Sequence, residues 1–396
     1  MAGAYAIVSG ASIAGLSAAL WLRRAGWDVT VLERAPRFRD GGQNVDVRGI
    51  ARDVLDRAGL TERVRALNTT ETATVMIGDR GPIGELPSDG PDGPTAEFEI
   101  LRGDLAGAIR DLLPPEVTVR FGESVSAVHD GGRRVVTTST DELRGDLLVI
   151  AEGVRSSTRD LVFADDVVTR VPMGIDMVFG TIPRTADDDD RWRWYITHGG
   201  RQAHLRPDPH GTTRALLSCT AEDDLVGADR DRLLALLRRR FGDVGWAAPR
   251  ILAGFADTDD LYVDRLEQIR MSTWRRDRVV CLGDAAWCVT PLGGGGASLA
   301  LTAGYVLAAF VPPGADDDTV RRGLADAERW LRPVVDEVQS VDPRVLRLAY
   351  PRSRAALAVT RLAVRAVTRT PLSRLVAGAG EVVPTDRDLP EFTARR

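Results

Sequence analysis

The sequence predicts an α/β protein: a Rossmann-like nucleotide-binding domain with an inserted β-rich domain and C-terminal helices. Three observations carry that expectation. The first stretch reads as strand, glycine turn, helix, strand. An apolar strand that runs into a glycine-rich turn and a helix returns near residue 284. Between them, from about Val167 to Arg270, the pattern is mostly β.

"YAIVS", Tyr5 to Ser9, is a short apolar strand. Ile13, Leu16, Ala19, Leu20 and Arg23 then recur at helical spacing, and Gly26 reads as the helix stop. "DVTVLE" is a buried strand that ends at Glu33. The unit takes about 30 residues, as a βαβ crossover should. "GGQNVDVRG" is a glycine-bounded loop, and a helix is expected from Ala51 to Ala58. "ATVMIGDRGPIGELP" reads as a hairpin with "DRG" at its turn, and "SDGPDGP" as a surface loop. "RGDLAGAIRDLL" is helical; "VTVRFG", "VSAVHD" and "RVVTTS" are short strands; "DLLVIAEG" is a buried strand closing on a glycine turn. Strands are expected at "IDMVFGTIP", "RWRWYITH", "RQAHLRP" and "TTRALLSC", then a helix at "DRDRLLALLRRRFG". "DRVVCLGD" and "ASLALTAGYVLAAF" form the second strand-turn-helix, and the remainder is helical. There Arg361, Arg365 and Arg369 sit four apart, as the solvated stripe of a covering helix.

A chain of 396 residues suggests two or three lobes. Hydrophobic content of 44% and charged content of 28% are those of a soluble globular protein. A net charge of −5 and the lack of a basic block argue against nucleic-acid binding. No apolar run reaches ~18 residues, so no membrane span is expected. Without a charged leader or a disulfide framework among Cys219, Cys281 and Cys288, the expected location is the reducing cytoplasm. There is no lysine; all 52 basic residues are arginines. That excludes lysine Schiff bases, a P-loop and a Tyr-Lys reductase pair. Asp187 to Asp190 read as a solvated loop and no metal site is expected, because four adjacent carboxylates converge poorly on one ion.

Three stretches carry chemistry. In "GASIAG" Gly10 and Gly15 take the first and third glycine roles of a dinucleotide turn, the tight bend and the close helix–strand packing. Ser12 replaces the second glycine; it keeps a small backbone profile and turns a hydroxyl toward a phosphate. The helix N-terminus supplies N–H groups and a positive dipole end. Glu33, eighteen residues after Gly15, suits a free ribose 2′-hydroxyl and repels a 2′-phosphate. In "GDAAWCVTPLGGGGASLALTAG", Asp284 suits a polyol and the glycines let backbone approach a planar ring. "AEGVRSSTR", Ala151 to Arg159, follows the third apolar strand, with Ser156 or Ser157 open to a capping role. Alone, each stretch could be an ordinary structural turn.

Together, in this order and spacing, they resemble the class A flavoprotein aromatic hydroxylase family, the para-hydroxybenzoate hydroxylase fold, over roughly residues 4 to 340. The single-component members that include tetracycline-inactivating and antibiotic-pathway hydroxylases are most similar in length. The resemblance implies that Gly10, Ser12, Ala14 and Gly15 hold the FAD pyrophosphate, Glu33 the adenosine ribose, and that Arg34 flanks the adenine. It implies Arg48, in "NVDVRG", beside the isoalloxazine as the one side-chain candidate for a catalytic role. It places Arg102 on the FAD backbone, Asp284 on the ribityl chain, and Pro291, Gly293, Gly294, Gly295, Gly296 and Ala297 along the flavin edge. The expected FAD-binding domain comprises 1–72, 95–165 and 272–340; a substrate-binding domain comprises 73–94 and 166–271; 341–396 is a C-terminal helical segment. Two departures stand out: Glu152 occupies an acidic position that is usually Asp, in a stretch that also serves the nicotinamide cofactor, and Trp287 stands where many members have His.

No nucleophile triad, metal cluster or paired catalytic carboxylates are visible, so the chemistry would belong to the cofactor. The resemblance implies that NADPH or NADH, bound transiently, reduces FAD. Oxygen then forms a flavin hydroperoxide that oxidises a small aromatic or polyketide-like substrate. Trp192 and Trp194 alternate with Arg193 and Tyr195, so one strand face could stack on a flat ring. Trp194, His204 and Trp287 are the substrate-contact candidates; the competing reading is a structural or solvent role for His204, which the residues favour, and a place in the sheet's own core for the tryptophans. Two other functions stay open: a flavin oxidoreductase of this fold without oxygen insertion, and a non-enzymatic flavin- or ligand-binding protein.

Overall fold

A computed structural model describes residues 3–39, 41–87, 98–129, 134–138, 140–222, 224–289, 295–340, 348–369 and 387–392. The first unit is β1 (Tyr5–Ser9), α1 (Ile13–Ala25) and β2 (Asp28–Glu33). Gly26 ends α1 at φ 103, a left-handed conformation that favours glycine. There follow β3 (Asn44–Asp46), α2 (Ala51–Ala58), α3 (Thr61–Ala66), the hairpin β4 (Ala73–Gly78) and β5 (Gly81–Pro87), β6 (Glu99–Leu101) and α4 (Arg102–Arg110). Next come β7 (Thr118–Phe121), β8 (Val125–His129), β9 (Arg134–Thr138), β10 (Glu142–Gly145), β11 (Leu147–Ile150) and α5 (Ser157–Val162). The β-rich middle is β12 (Val168–Pro183), β13 (Arg191–Thr197), β14 (Arg201–Pro207) and β15 (Thr212–Thr220), then α6 (Arg230–Phe241), α7 (Ala248–Asp257) and β16 (Tyr262–Met271). The chain returns through β17 (Arg275–Arg276), β18 (Val279–Cys281), α8 (Asp284–Trp287) and α9 (Gly296–Phe310), and continues as α10 (Asp317–Val338) and α11 (Arg354–Arg369).

Two sheets organise these elements. One has the order β17-β18-β11-β1-β2-β7. From β18 to β7 every pairing is parallel, and β17 is an antiparallel edge. Parallel neighbours end on the same edge. β1, β2, β11 and β18, far apart in sequence, therefore deliver the turns that follow them to one crevice, where α/β sheets bind ligands. The second sheet has the order β16-β12-β15-β14-β13-β4-β5. Its strands alternate. Val178, Ile182, Tyr195, Ala203, Leu205, Ala215 and Leu217 pack in one core with residues of α6 and α7. Their sequence neighbours Phe179, Trp194, Gln202, His204 and Leu216 border a cavity on the other face.

Some expectations shift. The helix expected over "RGDLAGAIRDLL" ends at Arg110. The short α3 and α7 were not anticipated; α7 starts on a proline in its first turn, where the missing N–H costs nothing. The C-terminal arginine stripe is not all solvated. Arg361 donates to both Asp79 oxygens at 2.8 Å, which fixes α11 to the β4–β5 hairpin. Among the described residues no helix is long and apolar enough to cross a membrane, and no acidic or His/Cys cluster could hold a metal ion. Asp188, Asp189 and Asp190 are each paired with arginine instead. The three cysteines are buried and joined by no disulfide.

Candidate functional site

At the end of β1 the chain turns through Gly10, whose φ is +111. A Cβ there would lie 2.3 Å from the Ala151 carbonyl oxygen, and one on Gly15 would lie 1.9 Å from that of Gly10. Both positions therefore exclude side chains, one through conformation and the other through packing. Ser12 is the N-cap of α1 in extended conformation, and its hydroxyl makes no capping bond. Glu33 accepts from the Ala11 N–H and the Ala35 N–H, both at 2.9 Å, which ties the end of β2 to the turn. Arg102 opens α4, and its Nε is buried without a hydrogen-bond partner.

The other two stretches close on this turn. Gly283, at φ +61, passes so near α1 that a Cβ would lie 2.8 Å from the Ala14 Cβ. Asp284 stands open to the resulting groove yet deep in the fold. Crowding by protein, reinforced by Asp264, pushes its carboxyl up to about 6 against the pull of Arg102. Gly295, at φ 73, caps α9, and Gly296 and Ala297 begin it at the groove wall. Glu152 collects the Ser156 and Thr158 hydroxyls and the Thr158 N–H, binding β11 to α5. Arg159 is fully buried and donates to the Val154 and Ala285 carbonyls, both at 3.1 Å, which staples the third stretch to the second. The groove so formed encloses about 310 Å³ and is bordered by Gly10, Ser12, Ala14, Glu33, Arg34, Arg102, Asp264, Asp284 and the start of α9.

Gln43 and Asn44 border this groove and also a second cavity of about 110 Å³ over the seven-stranded sheet. The second wall is aromatic. Trp192 and Trp194 stack at 5.1 Å and 12°, Phe179 and Tyr262 at 4.9 Å and 15°. His204 Nδ1 faces the Trp192 Nε1–H at 3.2 Å, and its Nε2 lies 3.0 Å from Gln202 Oε1, so the proton belongs on Nε2. Burial, aided by Arg206, pushes the imidazole down to about 3, so it is neutral. Gln202 donates in turn to the Ala349 carbonyl at 2.6 Å, and Tyr350 and Ser218 share a hydrogen bond of 2.6 Å. Ala349 and Tyr350, from the chain before α11, thus brace the chamber from behind.

The structure brings Gly10, Ser12, Ala14, Glu33, Arg34, Arg102, Asp284, Gly295, Gly296 and Ala297 to one groove, and Trp194 and His204 to the adjoining chamber. Pro291, Gly293 and Gly294 lie outside the described residues. Gly15 packs beneath the turn. Two candidates are elsewhere. Arg48 borders neither cavity; it pairs with Asp46 at 3.3 Å, and its backbone N–H donates to Ser298 Oγ. Trp287 corrects the expectation of a substrate contact. The four-residue α8 turns it inward, where it is 1% exposed and packs 4.3 Å from Trp274. Not foreseen were Gln43, Asn44, Phe179, Tyr262 and the buried group Glu71, Glu99 and Arg206. Only the strand-face alternation could have pointed to Phe179.

The turn, the acidic residue at the end of β2 and the adjoining chamber define a dinucleotide-binding enzyme. Comparison with known proteins narrows the class. The family profile described as FAD binding domain matches residues 4–311. An uncharacterised protein of Mycobacterium tuberculosis is 34% identical over 342 residues, 82% of this chain and 91% of that protein. Monooxygenase CTB7 of Cercospora beticola is 30% identical over 411 residues, 98% of this chain and 97% of its own. The tetracycline destructase Tet(51) superposes with a TM-score of 0.80 at 23% identity, covering 99% of this chain and 100% of that one. HpxO of Klebsiella pneumoniae, crystallised with FAD and uric acid, gives 0.78 at 21% identity over 96% and 97%. The structural likeness is one of fold. The chain belongs to the FAD-binding family, among its flavin-dependent monooxygenases.

Proposed function

We propose that the protein uses NADPH or NADH, molecular oxygen and FAD to oxidise a flat aromatic or polyketide-like molecule held in the aromatic chamber. The observation that carries this reading is the junction at Gln43 and Asn44, which border both the dinucleotide groove and the chamber. The groove fits the cofactor. It has a side-chain-free cradle at Gly10 and Gly15, an uncommitted Ser12 hydroxyl and an unpartnered Arg102 Nε. Ser12, Arg102 and the positive end of α1 would hold the pyrophosphate. Glu33 would receive adenosine ribose hydroxyls, with Arg34 flanking the adenine. Asp284 would receive ribityl hydroxyls, and the start of α9 would favour negative charge on the ring. When bound, FAD supplies the redox chemistry and the activation of oxygen.

The side chains supply position and dryness. Trp192, Trp194, Phe179 and Tyr262 offer ring faces for stacking. Neutral His204, engaged through both nitrogens, is part of the wall and takes up no second proton near neutral pH. Burying the substrate keeps water from the reacting ring. The six-stranded sheet would serve the cofactor and the seven-stranded sheet the substrate, with the parts divided as the sequence suggests. Three buried cysteines joined by no disulfide suit a reducing compartment.

The test is NADPH or NADH consumption by the FAD-loaded protein with polycyclic phenols present, followed by product mass. Substrate-dependent consumption with gain of one oxygen atom is expected. Reduction that continues to turn over without oxygen, or a purified protein that retains no flavin, overturns the reading.

A further inference from the structure

The chamber wall contains two arginines, and each is already held by two carboxylates. The Arg206 Nε donates to Glu71 at 2.9 Å, and its Nη2 donates to Glu99. The Arg214 Nε donates to Asp208 at 3.1 Å, and its Nη1 to Asp260 at 3.2 Å and to the Thr181 hydroxyl at 2.6 Å. The Glu71 and Asp208 side chains are fully buried, and Glu99 nearly so. The Arg206 guanidinium carbon also lies over the Trp192 ring, 4.1 Å from its centre. Each guanidinium charge is thus matched by two carboxylates before any ligand arrives.

The aromatic donors of the wall and the Gln202 amide are spent as well. The Trp192 and Trp194 indole N–H groups donate to His204 and Gln202, the Gln202 amide to the Ala349 carbonyl, and the Tyr262 hydroxyl to Gln43. The unmet capacity is of the opposite kind. Asn44 Oδ1, at the wall, is a buried acceptor without a partner among the described residues, and behind the wall Glu71 Oε1 and Glu99 Oε2 are carboxyl oxygens without one. Burial pushes both glutamates up against the pull of Arg206, so the pair retains a proton near neutral pH. The Arg206 group is then close to neutral, and the Arg214 group is negative. A ring carboxylate entering this space would lose its hydration and meet Asp260 at the wall and guanidinium charge already matched by carboxylates behind it. An uncharged ring avoids that cost, and a cationic one gains from the indole faces.

We propose that the chamber selects an uncharged or cationic flat ring compound bearing a hydroxyl or amino donor and rejects ring carboxylates, because Glu71, Glu99, Asp208 and Asp260 neutralise its two arginines. The inference rests on the reading of this chamber as the substrate site.

Calorimetric titration of the FAD-loaded protein with naphthol, naphthylmethylamine and hydroxynaphthoate tests it. Naphthol or the amine should bind at least about tenfold more tightly than the carboxylate. A carboxylate that binds within about twofold of naphthol overturns the charge argument and leaves the chamber reading intact. Failure of all three to bind overturns the chamber reading, and the inference with it. Glu71→Gln combined with Glu99→Gln leaves Arg206 positive and should raise carboxylate affinity about tenfold. Asp260→Asn, at a half-buried position, should move the preference the same way by less, and it keeps the charge test available if the double variant does not fold. An unchanged preference in whichever of these variants folds overturns the assignment to the carboxylates.

Discussion

Ser12 stands where a dinucleotide turn usually carries glycine, and its extended backbone shows why the exchange is tolerated: the hydroxyl is small and uncommitted. Ser12→Gly is expected to keep FAD, whereas Ser12→Val should weaken it by about tenfold or more by crowding the turn. Flavin fluorescence released after gel filtration measures this. Glu71 makes a second residue-scale prediction. Its folded value, pushed up to about 8 chiefly by burial, lies above its ordinary 4.5. The folded state therefore binds the proton more tightly, and the stabilising contribution is complete below about pH 4.5 and lost as pH rises through about 8. Asp284 acts in the same direction with its value near 6. The urea midpoint should fall across this window, and Glu71→Gln should flatten the fall; an equal slope in that variant counts against it. Gly10, Ser12 and Glu33 were legible in the sequence because their roles are local to one βαβ unit. Glu71 and Glu99 were not, because Arg206, the residue that gives them meaning, lies more than a hundred positions away. Trp287 misled because the alignment of a motif says nothing of where a four-residue helix points a side chain.

At the level of elements, the crossing of α1 and α9 holds the cradle together. Gly304 lies so close to α1 that a Cβ would stand 2.4 Å from Ser17 Oγ and 2.5 Å from the Ala18 nitrogen, and the Ser17 hydroxyl donates to the Leu301 carbonyl. Gly304→Val should cost about 1–3 kcal/mol by overpacking, read by denaturant titration. Because α9 begins at the groove, the same change should also reduce flavin retention. Strands and long helices were readable from their periods, since β1, β2, α1 and α9 are each buried along a continuous apolar run. The short α3 and the proline-led α7 were not, being too brief for a clear period. The stretch from Tyr262 to Met271 sets its polar residues in pairs, Asp264 with Arg265 and Glu267 with Gln268, so no period-two alternation announced it, and nothing local told that it would lie at the edge of the second sheet beside β12.

For the whole molecule, the groove draws on segments as far apart as Ser9 and Ala300, so the cofactor should act as a fastener. Stripping FAD should lower the thermal midpoint, and re-adding it should restore it. At about a hundredfold excess over its Kd the linkage amounts to about 2.7 kcal/mol. A midpoint indifferent to FAD would mean that the groove does not bind it. The parallel order β18-β11-β1-β2 was implicit in three strand-turn motifs, but the join between the two sheets at Gln43 and Asn44 was not, since Gln43 ends a loop and Asn44 opens the three-residue β3, too short to show a period. One join has a wider effect. Gln202 rests on the Ala349 carbonyl, and the Gly199 and Gly200 N–H groups on the Arg352 and Pro351 carbonyls. The late part of the chain thereby sets the shape of a compartment built by residues far upstream, without touching the nucleotide turn. Exchanging that late stretch for a relative's would alter which molecules are admitted while the electron supply stays as it was, so appetite and engine can diverge separately.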